Sequence, residues 1–289
     1  MCGECHRRKT DPDQAMYVVH MFQPEFRAAW PGRRRPAAGT VRGVTPPSPV
    51  LRPSRIPTAE TLTPRTLRDL LVVVLAVTSG ATDAIGFLAL GSAFTSVMTG
   101  NLVLTGIAVA DTDLTALALT LTAIGSFVLG AALGARTAGT AASGDPVWPR
   151  AVTVALTAEL ALLTGFAAGW WALGSEPPEV AFLPLLGLNA AALGLQSSAI
   201  QRFGVSGLST TYLTGTLTAV VIRLVSGRPL REVAHSLWIL LGLVAGAATA
   251  TLLVATAPVA VPALQLGTLA LVLAVARRSA RLRLVVDAG

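Results

Sequence analysis

Two acidic residues stand inside stretches of sequence that are otherwise apolar enough to cross a membrane. Asp83 lies about two-thirds of the way along one such stretch, and Glu159 lies near the middle of another. A charged carboxylate within a membrane span costs on the order of 2.5–3.5 kcal/mol on insertion scales, so it usually faces protein or a water-filled cavity. Asp83 could bind a cation, a proton or a polar solute, or it could accept structural hydrogen bonds. Glu159 could relay protons, or it could be a neutral, hydrogen-bonded group.

Two short, polar-centred segments repeat between the longer apolar ones. The first Thr-Gly segment is Phe94–Leu102 and the second is Ser209–Leu217, 115 residues further along the chain. Gly permits a non-helical backbone, and the carbonyls and half-helix ends at such an interruption bind ions or polar substrates in transporters. We therefore predict a binding site formed by Asp83, Thr99, Gly100, Asn101, Gln196, Thr214, Gly215 and Thr216.

These polar groups also have structural alternatives. Asn101 could serve merely as the cap of a half-helix, with no role in binding. Gln196 and Asn189 lie two turns apart on one helical face, where amides often hydrogen-bond between neighbouring membrane helices. The second Thr-Gly segment repeats the first without the amide, so the two segments are not expected to be equivalent in binding.

The sequence offers little for catalysis or for a cofactor. It contains neither a Gly-x-Ser-x-Gly elbow nor a Walker loop, and its apolar part holds one His and no Cys. Cys2-Gly3-Glu4-Cys5-His6 matches the C-x-x-C-H pattern of haem attachment, but that chemistry needs an exported segment and no signal peptide precedes the motif. We therefore expect no enzyme activity, no metal site and no cofactor.

The composition is that of an integral membrane protein. The chain is 53% hydrophobic and 13% charged, against roughly 25% charged residues in an ordinary soluble domain. Of its 22 basic residues, 12 lie in residues 1–68, and the others flank apolar segments, as topology signals do. The net charge of +7 is therefore not read as nucleic-acid binding. Residues 1–64, rich in Arg and Pro, are predicted to be a disordered cytoplasmic tail that the core does not need.

From Thr66 onward the chain resolves into eight apolar segments. Six of them reach, or nearly reach, the length of about 20 residues that a helix needs to cross the hydrocarbon core. The other two, 93–110 and 208–225, are shorter and contain the Thr-Gly segments. The segments are 68–90, 93–110, 114–135, 151–173, 180–201, 208–225, 234–256 and 258–276.

The arginines decide between eight spans and six. If all eight segments crossed, Arg136, Arg150 and Arg202 would lie outside. If the two short segments dip in and return, every arginine lies on the cytoplasmic side, as the positive-inside rule prefers. We therefore predict an all-α membrane protein with six transmembrane helices, two short broken or re-entrant elements, and both termini in the cytoplasm.

Six spans with two returning elements make the second half an inverted copy of the first. The predicted transmembrane domain is 65–278, with repeat halves of about 68–173 and 180–276 and a short basic tail at 279–289. Aligning 83–104 with 198–219 gives six identities in 22 positions. Small-xxx-small pairs recur at Gly130–Gly134 and Gly242–Gly246, with a third at Gly165–Gly169. We expect them to pack helices within the chain rather than to form a dimer interface.

Two stretches of this sequence resemble the YoaK-like family of bacterial membrane proteins, which is catalogued under a domain of unknown function. One is Ser79-Gly80-Ala81-Thr82-Asp83-Ala84-Ile85-Gly86-Phe87-Leu88 followed by Met98-Thr99-Gly100-Asn101-Leu102. The other is Gly194-Leu195-Gln196-Ser197-Ser198-Ala199 leading to Thr210-Thr211-Tyr212-Leu213-Thr214-Gly215-Thr216-Leu217. The resemblance covers about residues 68–278 and implies a six-span inner-membrane protein. It implies no activity, because none is established for the family.

Two functions fit these observations. The first is a small secondary transporter or permease of the bacterial inner membrane, with a polar midplane site for an unidentified small solute or ion at the two Thr-Gly segments. The second is a non-transporting scaffold or partner subunit. The bilayer is the expected surrounding, and homo-oligomerisation stays open. A polar midplane favours transport, because a scaffold has no need of one.

Overall fold

The computed structural model describes residues 63–142, 144–204 and 213–287, with side chains up to residue 279. The chain divides into residues 1–58 and 59–289, and all described residues belong to the second unit. The predicted tail, the C-x-x-C-H motif and Ser209–Tyr212 of the second Thr-Gly segment lie outside the described residues.

The described residues form eight α-helices. Six of them, counting the 3-10 turns that precede α5 and α8, are long and apolar enough to cross a membrane, which confirms the all-α, six-span part of the prediction. The remaining two, α2 and α6, have 13 residues each. The helices are α1 (Pro64–Ala89), α2 (Met98–Ala110), α3 (Leu114–Ala138), α4 (Arg150–Ala172), α5 (Phe182–Gln201), α6 (Leu213–Val225), α7 (Leu230–Thr256) and α8 (Val261–Asp287).

Capping residues and prolines set where the long helices begin. The Thr63 hydroxyl accepts a hydrogen bond from the backbone N–H of Thr66, and Pro64 takes the first helical position of α1. Asp113 caps α3 by accepting from the N–H groups of Thr115 and Ala116. Elsewhere a proline comes directly before the first helical residue, as it does in α4 and α7.

Glycines let two helix pairs cross at backbone contact. A Cβ added at Gly80 of α1 would overlap the carbonyl oxygen of Leu243, and one at Gly246 of α7 would overlap that of Val77. The crossing of α3 and α5 has the same form. There, a Cβ at Gly130 would overlap the carbonyl of Ala191, and one at Gly194 would overlap that of Phe127. In all four cases the carbonyl belongs to the residue three positions before the partner glycine. The prediction that the small-residue pairs pack within the chain is confirmed.

The set of helix pairs that contact each other stays the same when α1–α4 and α5–α8 are exchanged, although the extent of contact differs between exchanged pairs. Replacing α1–α4 by α5–α8 turns the α1–α7 pair into α5–α3, and turns α2–α3 into α6–α7. The same exchange relates α4–α5 to α8–α1 and α3–α4 to α7–α8, and it leaves α4–α8 and α1–α5 as they are. These are all the extensive helix–helix contacts among the described residues.

Contacts along the helices fix their directions. Gly242 and Gly246 face Val73 and Val77 in the same order, so α1 and α7 run parallel, and α3 and α5 do so by the same criterion. On α5, Gln196 comes after Asn189. Gln196 contacts Ser79, whereas Asn189 is linked through Gln265 to Thr82, which lies further along α1 than Ser79. Helices α1 and α5 are therefore antiparallel.

These directions gather the arginines at one end of the bundle. All ten arginines of residues 63–279 lie where α1, α4 and α7 begin and where α3, α5, α6 and α8 end. We call this the arginine end. The opposite end, called the acidic end, carries Asp111, Asp113, Glu176 and Glu179, with no basic side chain among the residues described there. This one-sided distribution is what the positive-inside rule describes.

Candidate functional site

The Asp83 carboxylate is saturated by hydrogen bonds from the loop between α1 and α2. Its Oδ1 accepts from the backbone N–H and hydroxyl of Thr95, at 2.8 and 2.9 Å, and from the N–H of Ser96 at 2.7 Å. Its Oδ2 accepts from the Ser96 hydroxyl at 2.5 Å. These bonds fit the structural role considered for Asp83, in which its carboxylate accepts hydrogen bonds from backbone N–H groups that have no partner within a helix.

Asn101 holds the same loop from the other side. Its Oδ1 accepts from the N–H of Phe94 at 2.9 Å, and its Nδ2 donates to the carbonyl of Phe94 at 2.7 Å. Two left-handed residues, Gly91 and Ser92 with φ of 91° and 62°, turn the chain back into this position. Asn101 is therefore a clamp on the loop rather than only a cap.

The described residues of the two Thr-Gly segments have matching exposure. Thr99 and Thr214 are exposed, Gly100 and Gly215 are half-buried, and the next residue in each is buried, Asn101 in one and Thr216 in the other. However, α2 packs on α3 and α6 packs on α7, with no extensive contact between α2 and α6. The structure therefore joins Asp83 and Asn101 through one loop, but the described contacts do not bring the two Thr-Gly segments together.

Other polar side chains do meet in the middle of the bundle. Gln265 of α8 donates through Nε2 to the hydroxyl of Thr82 at 2.8 Å and to Oδ1 of Asn189 at 3.3 Å. Gln196 donates to the Ser79 hydroxyl at 2.7 Å and to the carbonyl of Leu75. A Thr78–Thr268 hydroxyl pair at 2.7 Å adds a second link between α1 and α8. The interior polar cluster is Thr78, Ser79, Thr82, Asn189, Gln196, Gln265 and Thr268.

This cluster separates two apolar cores. On α1 it lies between Leu75 of the core nearer the arginine end and Ile85 of the core nearer the acidic end. On α8, Gln265 is fully buried between Val261 of one core and Leu269 of the other. The cluster therefore lies in the middle of the bundle, and its members come from α1, α5 and α8.

Glu159 is fully buried, and neither of its carboxylate oxygens has a hydrogen-bond partner among the described residues. It belongs to the α4 face that also buries Leu156 and Leu163. Gly165 and Gly169 of α4 face Leu188 and Leu185 of α5, so Glu159 stands level with the part of α5 near Gly194. The hydrogen-bonded alternative for Glu159 has no acceptor or donor in the described part of the chain to support it.

Sequence reasoning missed Gln265, Thr268 and the α1 hydroxyls as members of a site. The available signal was a lone glutamine inside the apolar segment 258–276, which calls for the same explanation as Asp83 or Glu159. Asn189 and Gln196 do form hydrogen bonds between helices, which is the structural alternative that the sequence offered for them.

Surface cavities lie at the ends of the bundle. One of about 560 Å³ opens between the starts of α3 and α5, and one of about 900 Å³ lies beside the link between α7 and α8. Two more, of about 520 and 230 Å³, are at the arginine end. None of these four is lined by the interior polar cluster or by the Thr-Gly segments. The described residues contain no group of three or more His, Cys, Asp or Glu side chains that could hold a metal ion.

Comparison with known proteins matches most of the described chain to one family. A family model described as "Protein of unknown function (DUF1275)" matches residues 71–276. The chain is 35% identical over 167 residues to the "UPF0700 transmembrane protein YoaK" of Bacillus subtilis (strain 168), an alignment that covers 58% of this chain and 71% of that protein. No solved structure matches the chain.

Proposed function

The chain belongs to the DUF1275 family of proteins of unknown function and is a multi-pass membrane protein, and we propose that it is a small secondary transporter. The proposed site is the interior polar cluster together with Glu159, in place of the two Thr-Gly segments alone. The observation that carries the proposal is Glu159: a fully buried ionisable group without a hydrogen-bond partner in the described chain. Such a residue inside a membrane bundle is a functional candidate by default.

The proposed architecture is an inverted repeat of α1–α4 and α5–α8. Two observations support it: the same helix pairs are in contact after the halves are exchanged, and the two glycine crossings have the same form. A bundle without internal symmetry would not be expected to repeat either feature. Transporters built from inverted repeats bind substrate near the midplane, where the repeats meet. The interior polar cluster draws on both halves, with α1 from one and α5 and α8 from the other.

We propose that α2 and α6 belong to re-entrant elements, which enter the membrane and return to the same side. Helix α3 runs parallel to α5 and therefore opposite to α1, so α1 ends where α3 begins, and α2 returns to the end that it left. The same reasoning applies to α6, because α5 and α7 are also opposed. With the arginine end in the cytoplasm, α2 would enter from outside and α6 from inside.

The chemistry of the site limits the solute. The interior polar cluster offers amides and hydroxyls, and Glu159 adds a carboxyl group, while no basic side chain lies among the described midplane residues. A small uncharged or cationic polar solute therefore suits the site better than an anion. Glu159 is the proposed group that takes up and releases a coupling proton.

A ligand screen followed by flux measurement tests this function. Purified protein would be melted with a panel of small polar metabolites, and a stabilising compound would then be followed into proteoliposomes under an imposed pH gradient. The wild type should concentrate it, and Glu159→Gln should still bind it and exchange it but lose dependence on the gradient. Gradient-driven uptake that is equal in both proteins would show that Glu159 does not couple. A panel without a single stabilising compound would favour the scaffold.

A further inference from the structure

A small cavity at the arginine end is built around three arginines. It has a volume of about 230 Å³, and Arg65, Arg68 and Arg202 line it together with Asp145, Pro149 and Phe203. Arg65 and Arg68 come from the first turns of α1, Arg202 directly follows α5, and Pro149 directly precedes α4. The cavity therefore lies at the ends of membrane-spanning helices, which is the depth of lipid head groups.

Two of the arginines are held in place before any ligand arrives. Arg202 donates to Oδ1 of Asp145 at 2.8 Å and to the carbonyl of Thr140. Arg68 donates through Nε and Nη2 to Oδ1 of Asp69, at 2.9 and 2.7 Å, and its guanidinium lies 5.8 Å from the centre of the Phe203 ring. Fixed guanidinium groups lose little conformational freedom on binding an anion, so the entropic cost of binding is small and the affinity is higher.

The charge of the cavity is not balanced by the part of the chain that the structure describes. Two carboxylates, Asp69 and Asp145, pair with Arg68 and Arg202. Arg65 is exposed and forms no ion pair with a described residue, so one positive charge remains. In addition, α4 begins at this cavity without a side-chain cap, and the free N–H groups of a helix start attract anions.

We propose that this cavity binds a phosphate group, supplied by the head group of an anionic phospholipid. A phosphodiester carries one negative charge, which matches the single unbalanced positive charge, and arginine suits its planar oxygen pairs. Basic pockets between the ends of membrane helices commonly hold anionic head groups. Free phosphate shares this chemistry, and the experiment separates the two sources. The proposal does not depend on transport.

The test compares melting temperatures of the purified full-length protein in an uncharged detergent. Dioleoyl-phosphatidylglycerol and dioleoyl-phosphatidylcholine are added at equal mole fraction, and a third sample receives inorganic phosphate alone. Phosphatidylglycerol should raise the wild-type melting temperature about 3–6 °C more than phosphatidylcholine does, as expected for about tenfold saturation of a site. The double variant Arg65→Gln/Arg68→Gln should lose at least half of this difference.

Arg223→Gln is the matched control, because Arg223 is an exposed arginine of the same end that does not line the cavity. It should keep the full shift. Because each protein is compared with itself, a variant of lower stability still reports. Equal lipid shifts in the control and the double variant would overturn the site. A shift with phosphate alone that also needs Arg65 and Arg68 would overturn the lipid source in favour of a soluble phosphate.

Discussion

The glycine crossings allow a sharp test within a single helix. Helix α3 carries Gly130 at its crossing with α5 and Gly125 on an exposed part of the same helix, where an added Cβ would meet nothing within 4 Å. Alanine at either position adds one methyl group and the same gain in helix propensity. The two substitutions therefore differ only in what the methyl group contacts.

The expected effects have opposite signs. At Gly130 the new Cβ would lie well inside 3.0 Å of the Ala191 carbonyl oxygen, closer than real Cβ atoms approach. That atom belongs to a helix backbone and cannot turn aside, so α3 and α5 must separate. Overpacking of this kind costs about 1–3 kcal/mol and occasionally more. At Gly125, alanine should instead stabilise by about 0.4–1 kcal/mol, because it removes freedom from the unfolded chain.

Thermal melting in detergent measures the difference. For a domain of this size 1 kcal/mol corresponds to roughly 2–4 °C, so the cost of about 1–3 kcal/mol should make Gly130→Ala melt about 2–12 °C below wild type, and Gly125→Ala should melt slightly above it. Gly246→Ala should match Gly130→Ala, since its Cβ would meet the Val77 carbonyl in the same geometry. If Gly130→Ala and Gly125→Ala melt within 1 °C of each other, the close backbone crossing is wrong.

Three further substitutions test the polar contacts. Asp83→Asn should change the melting temperature by less than about 3 °C, because the amide oxygen can keep the three bonds to Oδ1 and the amide nitrogen can donate to the Ser96 hydroxyl. Asp83→Ala, by contrast, should cost about 3–5 kcal/mol. Gln265→Leu should cost about 1–3 kcal/mol in chemical denaturation, since Thr82 and Asn189 lose their donor. The N–H of Ala142 and the Arg202 guanidinium hold the pKa of Asp145 below its usual value, so its stabilisation exists at neutral pH and disappears as the pH falls through that lowered pKa. Wild type and Asp145→Asn should then differ in melting temperature at pH 7 and converge below about pH 4.

Span length and charge placement carry most of what the sequence could predict of this fold. The apolar segments 68–90 and 114–135 correspond to α1 and α3 because a membrane span needs a fixed number of apolar residues. The segment 93–110 contains α2 only from Met98 onward. Its first residues form the loop that Asp83 and Asn101 hold, a conformation that depends on Ser92 adopting a left-handed φ, which its residue type does not suggest.

The membership of the interior polar cluster was less accessible to sequence reasoning. A polar residue in a span needs a partner, but the sequence does not reveal which helix supplies it. Gln265 meets Thr82 and Asn189 only because α1, α5 and α8 pack together at one depth, within the bundle that also holds the close crossing of α1 with α7 at Gly80 and Gly246. Glycine spacing predicts that such crossings exist, while their partners depend on the whole bundle.

The two buried carboxyl groups differ in a way that divides their roles. Asp83 accepts four hydrogen bonds from Thr95 and Ser96, so taking up a proton would require the bond with the Ser96 hydroxyl to reverse its direction. Glu159 has no such bonds with the described residues, so a change in its protonation state breaks no contact seen in this conformation. A coupling group must change charge in every cycle, whereas a structural anchor must not. On this argument the proposed coupling belongs to Glu159, and Asp83 serves to place α2.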